Sequence, residues 1–276
     1  MTSQLDKTAA FRAMHAPGAL LVLPNAWDVA TARLAEDAGA AAVATTSAGV
    51  AWSLGAADGD HLGRDLAAGL VARIVAAVGV PVTADVEGGY APDPAGVAET
   101  VRAIVDAGAC GINIEDAGPA GLRDTAEHAE RLAATREAAT ATGVPLFVNA
   151  RTDVYLRAVG DPATRLDATL ERAAAYLAAG ADGIFVPGVA DADTIARLAE
   201  GIDAPLNIMA GPGSPPVPDL AKLGVARVSV GASIALSAYA HARRGMREVL
   251  GSGTYESLAS DLDYGQLNGL LGKLNP

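Results

Sequence analysis

The 276-residue sequence predicts a (β/α)8 barrel, an α/β fold of the TIM type, on three observations. Eight short apolar runs alternate with longer, Ala-rich segments of helical spacing. The runs are continuously apolar, as strands are in a parallel sheet covered on both faces. Several helical segments end in a glycine turn, as in Asp37-Ala38-Gly39, Asp106-Ala107-Gly108 and Ala179-Gly180-Ala181-Asp182, where glycine supplies a left-handed cap before the next strand.

In chain order, strands are expected at 20–24 (LLVLP), 41–45, 81–86, 111–115, 145–150, 182–186, 205–209 and 226–230. Helices are expected near 28–38, 64–78, 94–107, 126–142, 162–179, 191–200, 217–223 and 231–250. Eight units of this length suit a closed barrel better than an open doubly wound sheet. An open dinucleotide-binding sheet would carry GxGxxG after its first strand, where this chain reads Leu23-Pro24-Asn25-Ala26-Trp27-Asp28. The Pro-rich stretch 211–219 reads as a loop over the barrel mouth. Residues 1–276 are expected to form one domain. Within it, 251–276 is a C-terminal helical extension that packs on a neighbouring subunit or caps the barrel.

Composition narrows the partners. Half of the residues are hydrophobic (51%) but few are aromatic (4%), so the core is built from Ala, Val, Leu and Ile. A net charge of −12 argues against nucleic acid, whose phosphates need a basic face. It leaves room for a small anion held by one or two local cations. The single cysteine, Cys110, fits a reducing compartment, and the chain shows neither a signal-peptide run nor a membrane-length apolar stretch. A cytoplasmic protein without a membrane partner is expected.

In such a barrel the chemistry sits where strands end. Strand three runs into Asp85-Val86-Glu87, strand four into Glu115-Asp116 and strand five into Asn149-Ala150-Arg151-Thr152-Asp153. Carboxylates crowded at one rim repel unless a cation joins them. Oxygen donors without nearby His or Cys suit a hard ion such as Mg²⁺, with Mn²⁺ as its substitute. Arg151 brings a planar fork able to grip a substrate carboxylate. The bland alternative is a set of helix caps and surface ion pairs. After strand two, Ser47, Ala48 and Gly49 offer a hydroxyl and backbone N–H groups to an anion, or only a turn. His15, His128 and His241 fall in helical patterns and His61 in a loop, and all four read as structural or solvated. Cys110 precedes strand four, at the wrong end of the barrel, and reads as a buried apolar residue.

At these residues the chain resembles the isocitrate lyase/phosphoenolpyruvate mutase superfamily over nearly its whole length. The likeness runs through Leu23-Pro24-Asn25-Ala26-Trp27-Asp28, Ser47-Ala48-Gly49, Ser53-Leu54-Gly55-Ala56-Ala57-Asp58 and Ala84-Asp85-Val86-Glu87-Gly88-Gly89-Tyr90. It continues through Asn113-Ile114-Glu115-Asp116 and Asn149-Ala150-Arg151-Thr152-Asp153. The resemblance implies that Asp85 is the nearest Mg²⁺ ligand, with Asp58, Glu87 and Glu115 holding the ion through water. It implies that Ser47 and the amides of Ala48 and Gly49 receive one end of the substrate, that Arg151 binds its carboxylate and that Trp52 walls the pocket. Asn207, on the seventh strand, is placed with the substrate-binding residues. Members of the family bind 2-oxo acids, and the metal stabilises the enolate formed when a C–C or P–C bond breaks. They form dimers or tetramers by exchanging the last barrel helix, so a homo-oligomer is expected.

The departures matter as much. Isocitrate and methylisocitrate lyases carry a cysteine- and histidine-bearing loop after strand four, where this chain reads Ala117-Gly118-Pro119-Ala120-Gly121-Leu122-Arg123-Asp124-Thr125. The glutamate they place after strand six is absent from Phe185-Val186-Pro187-Gly188, and the Lys- and Asn-containing loop of the phosphonate enzymes is missing too. Arg123 and Asp124, on the gating loop, are the candidates for specificity, or else pair with each other in solvent. The expected catalytic set is Asp58, Glu115, Arg123, Asp124 and Arg151. Three functions follow: a Mg²⁺-dependent lyase cleaving a C–C bond of a small 2-oxo or 2-hydroxy di- or tricarboxylate, a phosphonomutase-like or phosphonate-cleaving enzyme, or a barrel that only binds an oxo acid.

Overall fold

Pro24 interrupts the first strand, because proline has no backbone N–H to give to a sheet. The stretch becomes β1 (Leu21–Leu23) and β2 (Asn25–Ala26) in the computed structural model, which describes residues 2–272. The strands that follow are β3 (Val43–Thr45), β4 (Val82–Asp85) and β5 (Gly111–Glu115). Next come the two-residue strands β6 (Ala117–Gly118) and β7 (Gly121–Leu122). The last four are β8 (Phe147–Arg151), β9 (Gly183–Val186), β10 (Leu206–Met209) and β11 (Arg227–Ser229).

The main sheet is parallel in the order β1-β11-β10-β9-β8-β5-β4-β3-β2. Since β1 and β2 are consecutive pieces of one stretch, pairing β1 with β11 and β2 with β3 closes the sheet on itself. The result is the eight-position α/β barrel that the apolar runs predict, with strand bounds shifted by one or two residues.

Helices lie between successive strands: α2 (Val29–Asp37), α3 (Ser47–Ser53) with α4 (Arg64–Ala77), α5 (Pro94–Asp106) and α6 (Thr125–Ala141). They continue as α7 (Arg165–Ala178), α8 (Ala192–Gly201), α9 (Val217–Lys222) and α10 (Ser233–Gly251). Caps fix several starts: Asp93 Oδ1 accepts from Gly96 N ahead of Pro94, and Asp191 Oδ2 accepts from Thr194 N. Between helices and sheet lies an aliphatic layer that includes Val101, Ile104, Ile112, Leu132, Ile195 and Leu198, each at most 1% exposed. Each such burial contributes about 1.5–3 kcal/mol.

Three elements were not expected from the sequence. Helix α1 (Gln4–Ala13) precedes the barrel and seals its N-terminal end. Gln4 Nε2 donates to the carbonyls of Val105 and Ala109, and Arg12 Nη2 pairs with Asp182 Oδ1 at 2.8 Å. Only Thr8 and Phe11 of α1 are buried, so its sequence carries no strong apolar stripe. Helix α3 consists largely of small residues, and its N-cap, Thr46, makes no side-chain capping bond. The third is the β6–β7 hairpin, too short to show a period.

The C-terminal extension forms a 3₁₀ turn at Glu256–Leu258 and α11 (Tyr264–Leu271). It folds back on its own chain: Leu258 packs on Gly245 of α10, and Arg33 Nη2 of α2 donates to Leu270 O of α11. Residues 273–276 of the expected extension lie outside the described residues. Among the described residues no helix is long and apolar enough to cross a membrane.

Candidate active site

At the C-terminal ends of the strands opens a cavity of about 250 Å³, lined by Ser47, Ala48, Asp58, Asp85 and Arg151 among others. This is the end where barrels carry their chemistry, and the size suits a small acid. A larger cavity of about 370 Å³, at the opposite end beside His15, has one carboxylate, Asp203, and no cation on its wall. It lacks the converging charges of a reaction site.

Asp85 ends β4 and is the centre of the mouth cavity. Its backbone N–H donates to Thr45 Oγ1 at 2.9 Å, and its Oδ2 accepts from the Ser47 N–H at the start of α3. Its Oδ1 is sealed from solvent and has no partner. Burial pushes the Asp85 carboxyl up, against the pull of Arg151 and Ser47. Ser47 and Ala48 thus stand where an anion-binding turn was expected, but the Ser47 amide is already engaged by the Asp85 carboxylate.

Arg151, at the end of β8, is held from two sides. Its Nε and Nη2 donate to Asp153 Oδ1 and Oδ2 at 2.6 and 2.9 Å, and its Nη1 meets Glu115 Oε2 at 2.6 Å. The expected bidentate grip on a substrate is therefore changed: the Nε/Nη2 edge already grips Asp153, and only the remaining Nη protons are open to a ligand. Burial pushes Glu115 up, and the neighbouring Asp153 and Asp85 act in the same direction, while Arg151 opposes both.

Glu87 follows β4 with φ of 51°, in the left-handed region, and is 1% exposed. Its Oε2 accepts from the backbone N–H groups of Gly59 and Asp60, so it anchors the loop that brings Asp58 to the cavity. Its Oε1 is buried without a partner. Burial, together with Asp58 and Asp85, raises its carboxyl to about 7.

Other expected residues stand elsewhere. Gly49 is not among the residues lining the cavity, and its Cα packs so tightly on Thr46 and Trp27 that an added Cβ would sit 2.8 Å from each. Trp52 does not wall the cavity; its ring meets Tyr239 of α10 edge-on at 6.1 Å. Asn207 is 1% exposed beneath the cavity, with its amide committed to neighbouring strands. Arg123 donates to Ala117 O across the base of the hairpin and pairs with Glu127 at 3.4 Å. It closes the hairpin, and Arg123 and exposed Asp124 border a separate groove of about 630 Å³. The two do not pair with each other, because Arg123 turns back on its own loop.

Sequence reasoning missed Asn25, Asn113 and Ser229, which also line the cavity. Asn113 sits inside β5, and Ser229 and Asn25 are neutral residues at strand ends, where the search looked for carboxylates and cations. Polar residues within otherwise apolar runs were the available signal.

A divalent cation was expected between Asp58, Asp85, Glu87 and Glu115. Among the described residues no three His, Cys, Asp or Glu side chains are grouped closely enough to cage a metal unaided. Glu115 is bound to Arg151 and Glu87 to the 59–60 amides. The unpartnered Asp85 Oδ1, with Asp58 on the same cavity, nevertheless fits Mg²⁺, which takes one or two carboxylates and keeps several waters.

Comparison with known proteins agrees with the geometry. The family model described as phosphoenolpyruvate phosphomutase matches residues 11–250. An uncharacterized protein of Mycobacterium tuberculosis is 39% identical over 95% of each chain. The oxaloacetate decarboxylase of Pseudomonas savastanoi pv. phaseolicola is 29% identical over 91% of this chain and 88% of its own. A crystal structure of a provisionally assigned phosphonomutase from Burkholderia cenocepacia superposes with a TM-score of 0.83 at 44% identity, over 87% of this chain and 99% of that one. With a family match spanning most of a barrel whose mouth gathers Asp85, Asp58 and Arg151, the chain belongs to the isocitrate lyase/phosphoenolpyruvate mutase superfamily.

Proposed function

We propose that the chain is a Mg²⁺-dependent lyase that cleaves a C–C bond of a small 2-oxo or 2-hydroxy di- or tricarboxylate. The observation that carries this reading is Asp85, its Oδ1 unpartnered, facing the same 250 Å³ cavity as the Arg151 guanidinium. An oxaloacetate decarboxylase among the relatives supports the substrate class.

Asp85, with Asp58 and through water Glu87 and Glu115, would hold the ion. When bound, Mg²⁺ supplies Lewis-acid stabilisation to the oxyanion that develops as the bond breaks. The open Nη protons of Arg151 bind the substrate carboxylate, and the Glu115–Arg151–Asp153 contacts hold the guanidinium still. The N-terminal turn of α3 presents Ala48 beside it. Phe185 and Leu156 keep water from one side. Asp58 is exposed at the rim, so the proton that quenches the enolate reaches it from solvent past this side of the cavity. Its supply from solvent replaces the thiol of the cysteine-bearing lyases, since the hairpin has none.

The test is pyruvate release from oxaloacetate and a panel of alkylmalates. Turnover abolished by EDTA and restored by Mg²⁺ or Mn²⁺ is expected. A second reading, cleavage or rearrangement of a phosphonate, draws support from the Burkholderia relative. Phosphorus NMR on phosphonopyruvate separates the two. Oxalate binding with turnover of neither would leave a binding protein only.

The exposed Ile234, Leu236, Met246 and Leu250 of α10 support the further reading that copies associate through this helix.

A further inference from the structure

The interior of the barrel beneath the cavity is polar where aliphatic side chains usually fill it. Asn113, Asn149 and Arg227 come from β5, β8 and β11, with Asn207 of β10 between, and all are at most 4% exposed. Asn113 is in register with Asp85 on one side and Asn149 on the other, so the three side chains share the inner face.

The hydrogen bonds give this layer a direction. Asn113 Oδ1 accepts from Asn149 Nδ2 at 2.9 Å and from Arg227 Nη2 at 3.2 Å. Arginine can only donate, so the Asn113 amide cannot be turned over without setting its own NH₂ against the guanidinium. Its Nδ2 therefore points the other way. That group makes no hydrogen bond among the described residues and is not sealed from solvent, while Asn113 lines the cavity. Arg227 spends one donor on Asn113, leaves Nε and Nη1 without protein partners, and lies 5.9 Å from the Phe11 ring. Burial pulls its guanidinium down to about 9, which leaves it charged at neutral pH, and Asp85 opposes that shift.

We propose that Asn113 is a substrate-binding residue whose Nδ2 donates to an oxygen of the bound anion, and that buried Arg227 is the positioning residue that fixes its amide. The inference rests on the anion-binding reading of the cavity above. It adds a neutral donor beside Asp85, in the strand register next to the expected metal ligand. A neutral group there donates to an anion's oxygen without competing for the cation. Arg227, one side chain deeper, contributes its charge through Asn113 rather than by contact.

The experiment is calorimetric titration of the full chain with oxalate in Mg²⁺ buffer, with Mg²⁺ alone titrated separately and a thermal melt for each variant. Asn113→Asp gives Arg227 a carboxylate partner and so keeps or raises Tm. It also turns the donor into an anion facing the ligand, so oxalate affinity falls about tenfold or more while Mg²⁺ binds at least as tightly. Asn113→Ala weakens oxalate about tenfold through the lost bond. Arg227→Met frees the amide and weakens oxalate several-fold; Arg227→Lys, which still donates to Oδ1, restores most of the affinity. A folded Asn113→Asp that binds oxalate like wild type, or Arg227→Met with wild-type affinity, overturns the proposal. Wild-type protein that binds no oxalate overturns the reading of the cavity and this inference with it, whereas failure in the variants alone overturns only this inference.

Discussion

Arg151 donates through Nη1 to Glu115 Oε2 at 2.6 Å, with 13% and 10% of the two side chains exposed. A shielded pair of this kind adds little net stability over a well-packed apolar pair, but breaking one side of it strands the other. The carboxylate of Asp153 would be stranded together with that of Glu115.

Arg151→Met is therefore expected to cost about 3–5 kcal/mol in urea unfolding at neutral pH. Arg151→Lys keeps the charge but cannot satisfy Asp153 and Glu115 together, so it costs less stability and still weakens oxalate binding. A methionine variant as stable as wild type would show that Arg151 does not neutralise these carboxylates.

Asp85 is a stability defect retained at the site. Its Oδ1 is buried without a partner and burial disfavours its charge. Asp85→Asn is expected to raise Tm in EDTA while abolishing Mg²⁺ binding by calorimetry, the trade-off seen where function needs a strained group. If the variant melted lower in EDTA and still bound Mg²⁺ as wild type does, the assignment of Asp85 would be lost.

The barrel was legible because its strands are continuous apolar runs and its helices end in glycine. The meeting of Asp85 and Arg151 at one cavity was legible because a carboxylate and a guanidinium ended the strands on either side of β5, whereas Asp58, in the loop before α4, came only from the family resemblance. What Arg151 and Glu87 do there was not. The first grips Asp153, and the second holds the amides of Gly59 and Asp60. Both depend on loop paths that no periodicity encodes. Asn113 stayed hidden because it lies within the GINIE run, where a strand reading looks for apolar residues. Trp52 was misplaced because helix α3 turns it towards Tyr239.

Gly49 was expected to offer an amide to the substrate, and its packing gives it another duty. An added Cβ would stand 2.8 Å from Thr46 Cγ2 and from Trp27 Cβ. Neither is the end of a flexible chain, so α3 itself must shift. Gly49→Ala is expected to destabilise by about 1–3 kcal/mol. The shift would also displace Ser47 from Asp85, so Mg²⁺ affinity should fall with it. An alanine variant with unchanged melting and metal affinity would show that α3 has slack.

His128 tests the acid limit of the fold. It is fully buried against Tyr176, at 4.8 Å between ring centroids, and neither ring nitrogen has a partner. Burial, reinforced by Arg123, Arg131 and Arg172, lowers it to about 3. The unfolded chain takes up this proton below about pH 6.5, while the folded chain refuses it until about pH 3. Between those values the unfolded state binds more protons, so stability falls as pH falls, with a slope approaching about 1.4 kcal/mol per pH unit from this group. His128→Leu removes that linkage and two unpartnered polar atoms together. It is expected to match or exceed wild-type stability at pH 7 and to gain on wild type steadily between pH 6.5 and 4 in urea unfolding. His15, lowered to about 4 chiefly by burial, remains in both proteins, so the flattening is partial. Parallel pH curves for the two proteins would mean that the His128 ring meets solvent or a donor in the folded chain.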